Sequence, residues 1–471
     1  MYQGITSDLH KIEHEYIDTI RAEHPEWVER TEPMDPDVIM QRIGVTYLPQ
    51  DRPSGYLRLY PHDFIVEEVM ENGTVSALGR TPVFQDNEDR RTLWADLIKA
   101  SISGMNAVAD INHTLGLTQG ALGYSGIKDT VALTSQRVSL RGVTKEQAEA
   151  LKSDRMVLRP VAYGNGALQP GSLRGNRFTI FVRTDSDAPI DHLLTALGEQ
   201  GFYNFFGAQR FGPRLHAHLL GQKILQGDAD GAVKLFLTSP GVFDVPFFRD
   251  TRNRLSELYG DWDEMLALAE RFPFTMKDEI IVLKSLQQDP RKTRLALAQI
   301  REQTKMWVYA YGSWVINRYI SDHVNRGEDI AEFIPLPLSS MGVPAEYRSY
   351  MKEDGTENYL SALQGYPFIQ PSDKDIPSRM MPFGLKWEHL DQGWVVRFAL
   401  HKGAYATSCL SHVFRLYEGM PIPAWVKGGE IDSFEIIGDG TIKPWHDRLA
   451  SVLKRRDEIG RDEAQADPSA T

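Results

Sequence analysis

From Val131 to Leu140 the chain alternates sides: Val131, Leu133, Ser135, Arg137 and Ser139 on one, Ala132, Thr134, Gln136, Val138 and Leu140 on the other. A pleated strand imposes that period of two. The same alternation recurs at 175–184, where Phe178, Ile180 and Val182 follow the polar lead Asn176-Arg177. Residues 56–60 and 64–69 read as a pair of strands around Pro61-His62-Asp63, with Tyr56, Arg58 and Tyr60 sharing a face. Strand patterning returns near Gly393, with Gly403 predicted as a bend between two strands.

Helical spacing marks 8–28, with Leu9, Ile12, Tyr16, Ile20 and Trp27 on one side and Asp8 available as a cap. It also predicts helices over 91–103 (Leu93, Leu97 and Ile98 buried), 106–116, 144–153 with Thr144 at its start, and 187–198. From about 215 to 370 the chain becomes helix-rich, with helices predicted at 215–226, 229–237, 253–270, 291–303 and 305–324. The last presents Trp307, Tyr311, Trp314, Ile316 and Tyr319, which reads as a core face. A helical block between strand-bearing stretches suggests one domain inserted into another. The expected division is an acidic N-terminal extension at 1–52, a first domain at 53–214 and 371–420, an inserted domain at 215–370, and a C-terminal extension at 421–471 with a frayed end.

Composition fits this picture: 471 residues exceed one ordinary domain, and 42% hydrophobic with 25% charged residues is typical of globular chains. Cys409 is the single cysteine, so neither an intrachain disulfide nor a cysteine-based metal site can be assembled. The charged start does not read as a secretory signal, and no run nears the ~18 apolar residues of a membrane span. A cytoplasmic protein without a membrane partner is expected. The oligomeric state is not legible, a monomer being the simplest expectation.

The net charge of −12 argues against indiscriminate coating of nucleic acid. Its distribution is uneven. Residues 1–52 hold eleven Asp and Glu against five Lys and Arg, whereas 128–183 hold ten Lys and Arg against four Asp and Glu. An anionic partner would be expected at the second stretch.

That basic stretch follows directly on Gly123-Tyr124-Ser125-Gly126-Ile127-Lys128-Asp129. Gly126 suggests a sharp bend ahead of a lysine–aspartate pair, placing Asp129 where a loop meets a strand. A carboxylate held there can serve as nucleophile or base; a surface ion pair is the alternative. The segment 202–214, FYNFFGAQRFGPR, combines five aromatics with Arg210 and Arg214 among glycine and proline breaks. Rings and guanidinium groups in an irregular segment can stack on bases, or can fill a core.

Several stretches, in order, resemble the TruD family of pseudouridine synthases. The nucleophile signature, Gly-x-Lys-Asp-x-x-Ala-x-Thr-x-Gln, is matched from Gly126 to Gln136. Asn204 to Gly212 resembles a second motif, Asp63, Phe64, Val66 and Glu68 an early one, Gly175, Asn176 and Phe178 a third, and Tyr405 to Thr407 a late one. Ser411-His412 stands where the family usually has Arg-Glu, and Ala310 to Ser313 is only loosely similar. The resemblance implies an α+β fold, a pseudouridine-synthase catalytic domain with a bent mixed or antiparallel sheet flanked by helices, plus the family's inserted helix-rich TRUD domain. It implies isomerisation of uridine to pseudouridine in RNA without cofactor or metal, tRNA being the first candidate substrate and uridine 13 its first candidate site; DNA is not expected. Asp129 is then the catalytic carboxylate and Arg58 the cation beside it. Phe206 stacks on the flipped uracil, and Asn204, Phe64, Lys128 and Arg210 complete the substrate-binding set. A silent RNA-binding member of the fold is one alternative. A glycosidase drawing a second carboxylate from Glu67 or Glu68 is another.

Overall fold

The computed structural model describes residues 2–86, 91–164, 166–185 and 189–458. They form two compact units: Pro49–Phe202 with the chain from Met380, and Met1–Leu48 with Tyr203–Arg379. The first is built on a ten-stranded sheet. Its strands are β1 (Ser54–Tyr56), β2 (Phe64–Val69), β3 (Thr92–Ala100), β4 (Leu122–Tyr124), β5 (Leu133–Arg141), β6 (Met156–Gly164), β7 (Gly175–Arg183), β8 (Phe383–Leu390), β9 (Gly393–His401) and β10 (Arg415–Tyr417). The main path runs β8-β9-β7-β2-β5-β3-β6; β1 bridges β10 and β7, and β4 pairs with β5.

Every neighbour pair on that path is antiparallel except β2 and β5 at its centre, which run parallel with Ile65 opposite Leu133. Both faces of the centre are covered. Phe64 and Val66 pack with Phe178, Ile180 and the Asp191–Gln200 helix, while Ile65 and Leu133 pack against Phe434, Leu449 and Val452. Strands covered on both sides need no polar face, and their buried charges must be paired instead.

β3 overturns the helix predicted at 91–103. Leu93, Leu97 and Ile98 have spacing that suits a helix, but a strand buried on both faces offers the same apolar positions without clean alternation. Its Asp96 and Lys99 are fully buried and bonded: Asp96 to Arg137 and Arg159 at 2.9 and 2.7 Å, Lys99 to three main-chain carbonyls. The strand predicted through Tyr60 also stops early, at Tyr56. Beyond Gly403 the chain forms a short helix, Ala406–Leu410, before β10.

The other unit is helical and centres on Arg301–Asn325, whose Val308, Tyr311, Val315, Ile316 and Ile320 are buried in one apolar core. The acidic N-terminal helix, Tyr2–Glu23, starts ahead of Asp8 and packs Tyr16 against Phe247 and Phe272. The helix predicted at 253–270 is two, Pro246–Glu257 and Trp262–Ala269. Gly260 takes a left-handed φ of 107° between them, and the Asp261 carboxylate caps the second. Lys277–Gln288 is a further helix that the spacing did not mark. Of the helix predicted from 187, Asp191–Gln200 is described; 187 lies outside the described residues, as do 459–471 of the expected frayed end. Among the described residues, no helix is long and apolar enough to cross a membrane.

Candidate active site

The parallel pair at the sheet centre brings the entries of β2 and β5 side by side, because parallel neighbours start at the same end. The segment ahead of β2 carries Arg58; the segment ahead of β5 carries Asp129. Arg58 Nη2 lies 3.3 Å from Asp129 Oδ1. No described residue bonds the other carboxylate oxygen. Asp129's side chain is 31% exposed, whereas Arg58 is 5% exposed, so the cation is fixed inside and the anion faces outward.

Arg58 is held on three sides. Its Nη1 donates to Glu418 Oε1 at 2.7 Å, its guanidinium carbon sits 3.8 Å from the centroid of the Phe64 ring, and its backbone adopts φ 59°. Burial opposes its charge, but the carboxylates of Glu418 and Asp129 outweigh that penalty and raise its pKa further. The shorter bond goes to Glu418, so Glu418 sets the guanidinium plane and Asp129 shares its second edge.

The Asp129 loop is gripped from beneath. Lys99 Nζ donates to the carbonyls of Ile102, Lys128 and Asp129 at 2.8, 3.4 and 2.6 Å. Gln136 donates from its amide to the Gly126 carbonyl at 3.1 Å. Lys128 forms a 2.6 Å ion pair with Glu68, both of them buried. Lys128 was expected at the RNA; the structure turns it inward, where it anchors the loop. The bend expected at Gly126 lies at Ser125, and Gly126 itself does not take a left-handed φ. Gly123 is the tight position: a Cβ there would meet the Leu168 carbonyl at 2.5 Å.

Glu67 and Glu68 are not a second catalytic carboxylate. Glu67 pairs with Arg177 at 2.6 Å and Glu68 with Lys128, and both are fully buried. Of the ten cations in 128–183, Lys128, Arg137, Arg159, Arg177 and Arg183 are likewise committed to internal carboxylates. The basic stretch is therefore half interior wiring, and the anion-binding surface expected from it rests on the remaining charges.

Asn204, Phe206 and Arg210 belong to the helical unit. Asn204 is buried and donates from its amide to the Pro377 carbonyl at 3.0 Å. Asn317 clamps Phe206 from both sides: it accepts from the Phe206 N–H at 2.9 Å and donates to its carbonyl at 3.0 Å. The ring is partly exposed, and the Arg210 guanidinium carbon lies 5.5 Å from its centroid. Lys99, Glu418 and Asn317 were missed in the sequence. Lys99 and Asn317 are polar residues among the apolar positions of largely buried elements, a signal of internal bonding that could have marked them.

A family model described as tRNA pseudouridine synthase D (TruD) matches residues 43–335. A protein of Methanopyrus kandleri named probable tRNA pseudouridine synthase D is 30% identical over 327 residues, covering 65% of this chain and 81% of the relative. One of Methanocaldococcus jannaschii, named probable tRNA pseudouridine synthase D 1, is 26% identical and covers 77% and 96%. A crystal structure of a Methanosarcina mazei protein that carries the TruD name superposes with a TM-score of 0.65 at 20% identity, covering 79% and 97%, a likeness of fold.

Proposed function

The chain belongs to the TruD family of tRNA pseudouridine synthases, and from that premise we propose that it isomerises uridine to pseudouridine in tRNA, with Asp129 as the reacting carboxylate and uridine 13 as the first site to examine. The reaction breaks the bond from C1′ to N1 and forms one from C1′ to C5. The C5 proton leaves and N1 gains one, so substrate and product are isomers and no co-reactant is consumed.

The observation that carries the reading is the partly exposed Asp129 beside a buried, immobilised Arg58. An unprotonated carboxylate is needed whether it attacks the sugar, attacks the base, or abstracts a sugar proton. Arg58 places a permanent positive charge next to it. Lys99, Gln136 and the Lys128–Glu68 pair act as positioning residues that fix the loop, and Phe64 supports the guanidinium.

Phe206 is proposed as the ring on which the extruded uracil stacks, with Asn204 and Arg210 in the same motif as binding residues. Extrusion costs a few kcal/mol, and stacking on one ring returns about 1–3 kcal/mol. Asn317's clamp on the Phe206 backbone supports this role, since a stacking platform must be rigid.

Transfer RNA carrying tritium at uracil C5 tests the reading. Wild type should release tritium. Asp129→Asn should lower release by at least about 10³-fold while tRNA affinity changes little. Release within about tenfold of wild type would remove Asp129 as the reacting group, and no release by wild type at any uridine would remove the synthase activity.

A further inference from the structure

The turn Pro61–Asp63, between β1 and β2, carries a second group of reactive side chains. His62 is 1% exposed, and neither ring nitrogen has a protein hydrogen-bond partner. Buried polar atoms are nearly always paired, so an imidazole unsatisfied at both nitrogens calls for an explanation. Its ring leans on Tyr60 and meets His446 edge-on, each at 5.3 Å between centroids. His446 Nε2 lies 2.8 Å from Glu430 Oε2. One ligand atom from each of His62, Glu430 and His446 lies within 4.8 Å of the others, a grouping found once among the described residues.

We propose that His62, Glu430 and His446 form a binding site for one divalent transition-metal ion of the zinc class. Two imidazoles and a carboxylate are a donor set that zinc-like ions accept, whereas magnesium and calcium prefer oxygen alone. Tetrahedral zinc at ~2.0–2.1 Å from each ligand sets the ligand atoms about 3.4 Å apart. Loading therefore rearranges the group: His446 Nε2 and Glu430 Oε2, 2.8 Å apart, separate by about half an ångström, and any pair near the 4.8 Å limit draws in. His446 and Glu430 are partly exposed and can supply that movement, while His62 stays seated. Water takes the fourth position.

The surroundings are prepared for a cation. Arg183, whose positive charge would oppose one, is bound by both oxygens of Asp63 at 3.0 Å and by the Lys427 and Gly429 carbonyls. That last pair of bonds also fixes the segment leading into Glu430. The ion would join residues more than 360 positions apart and pin the C-terminal segment to the turn that follows Arg58. Its role is that of a clamp, outside the chemistry at Asp129.

The test uses the full chain, free of any affinity tag, stripped with EDTA and titrated with zinc chloride by calorimetry near neutral pH. Wild type should bind one ion per chain and gain thermal stability, with excess magnesium failing to compete. Glu430→Gln and His446→Gln, both on the open side, should weaken affinity by about tenfold or more without lowering the melting temperature of the metal-free protein. His62→Phe keeps the ring packing and should abolish the site. The absence of saturable zinc binding by wild type, or binding unchanged in all three variants, would overturn the proposal.

Discussion

Arg58 holds a φ of 59°, a left-handed backbone that costs a residue with a side chain about 1–2 kcal/mol. The conformation persists because the guanidinium is over-determined: Glu418 takes one edge, Asp129 the other, and Phe64 covers a face. Lysine cannot reproduce that arrangement, since an ammonium is a point charge without a second edge or a flat face. Arg58→Lys should lower kcat by about 10²-fold with little change in KM for tRNA. Single-turnover kinetics with saturating enzyme checks this, and an unchanged rate would show that charge alone is required of the position. The strained backbone also explains where the strand reading failed. Alternation at Tyr56, Arg58 and Tyr60 is real in the sequence, but the chain leaves the sheet after Tyr56 to aim Arg58 at the two carboxylates.

Legibility did not follow one-sided burial: β5 was read as a strand although, like β3, it is buried on both faces. β5, β7 and the 301–325 helix follow their spacing closely because polar and apolar positions there are separated or run long. β3 was not legible, because Leu93, Leu97 and Ile98 also fit a helical spacing, and that misreading hid Lys99, the residue that grips the Asp129 carbonyl. Asp129 and Arg58 were legible through a motif and not through periodicity. Glu418 lies after β10 with no pattern around it, so nothing local marked it. The helix Ala217–Leu225 offers a test at this scale. It begins beside His216 and carries His218, whose ring stacks on Trp314 at 5.1 Å. Burial, with Arg214 and Arg252 nearby, holds His216 well below its ordinary pKa; burial, with Arg42, lowers His218 to about 3. Both stay neutral in the fold where the unfolded chain takes up protons. Stability is therefore full above pH ~6.5 and falls as pH drops below it, by at most about 1.4 kcal/mol per pH unit for each histidine. Urea unfolding followed by tryptophan fluorescence between pH 7 and 5 should show this slope, reduced in His218→Gln. A slope equal to wild type in that variant would show that His218 does not contribute.

Across the whole molecule, a net charge of −12 must coexist with attraction to a polyanion. Charge counted along the sequence overstates what an RNA can reach, because Lys128, Arg137, Arg159, Arg177 and Arg183 satisfy carboxylates inside the sheet unit. Arg141, Lys152 and Arg174 are exposed and belong to the same stretch. These two groups should separate in a salt titration of tRNA binding. Each surface cation that neutralises a phosphate contributes about 0.7–0.9 to the slope of log affinity against log salt concentration. Replacing Arg141, Lys152 and Arg174 together by alanine should flatten that slope by about 2 and leave the melting temperature near wild type. Arg177→Gln should do the reverse, since it leaves the buried Glu67 carboxylate without its paired cation and with the Leu78 N–H as its bonded neighbour, at a penalty of up to about 3–5 kcal/mol while touching no phosphate. A folded Arg177→Gln with a flattened slope would mean that the internal pair opens to the RNA, and an unchanged slope in the triple variant would move the binding surface away from 128–183 altogether.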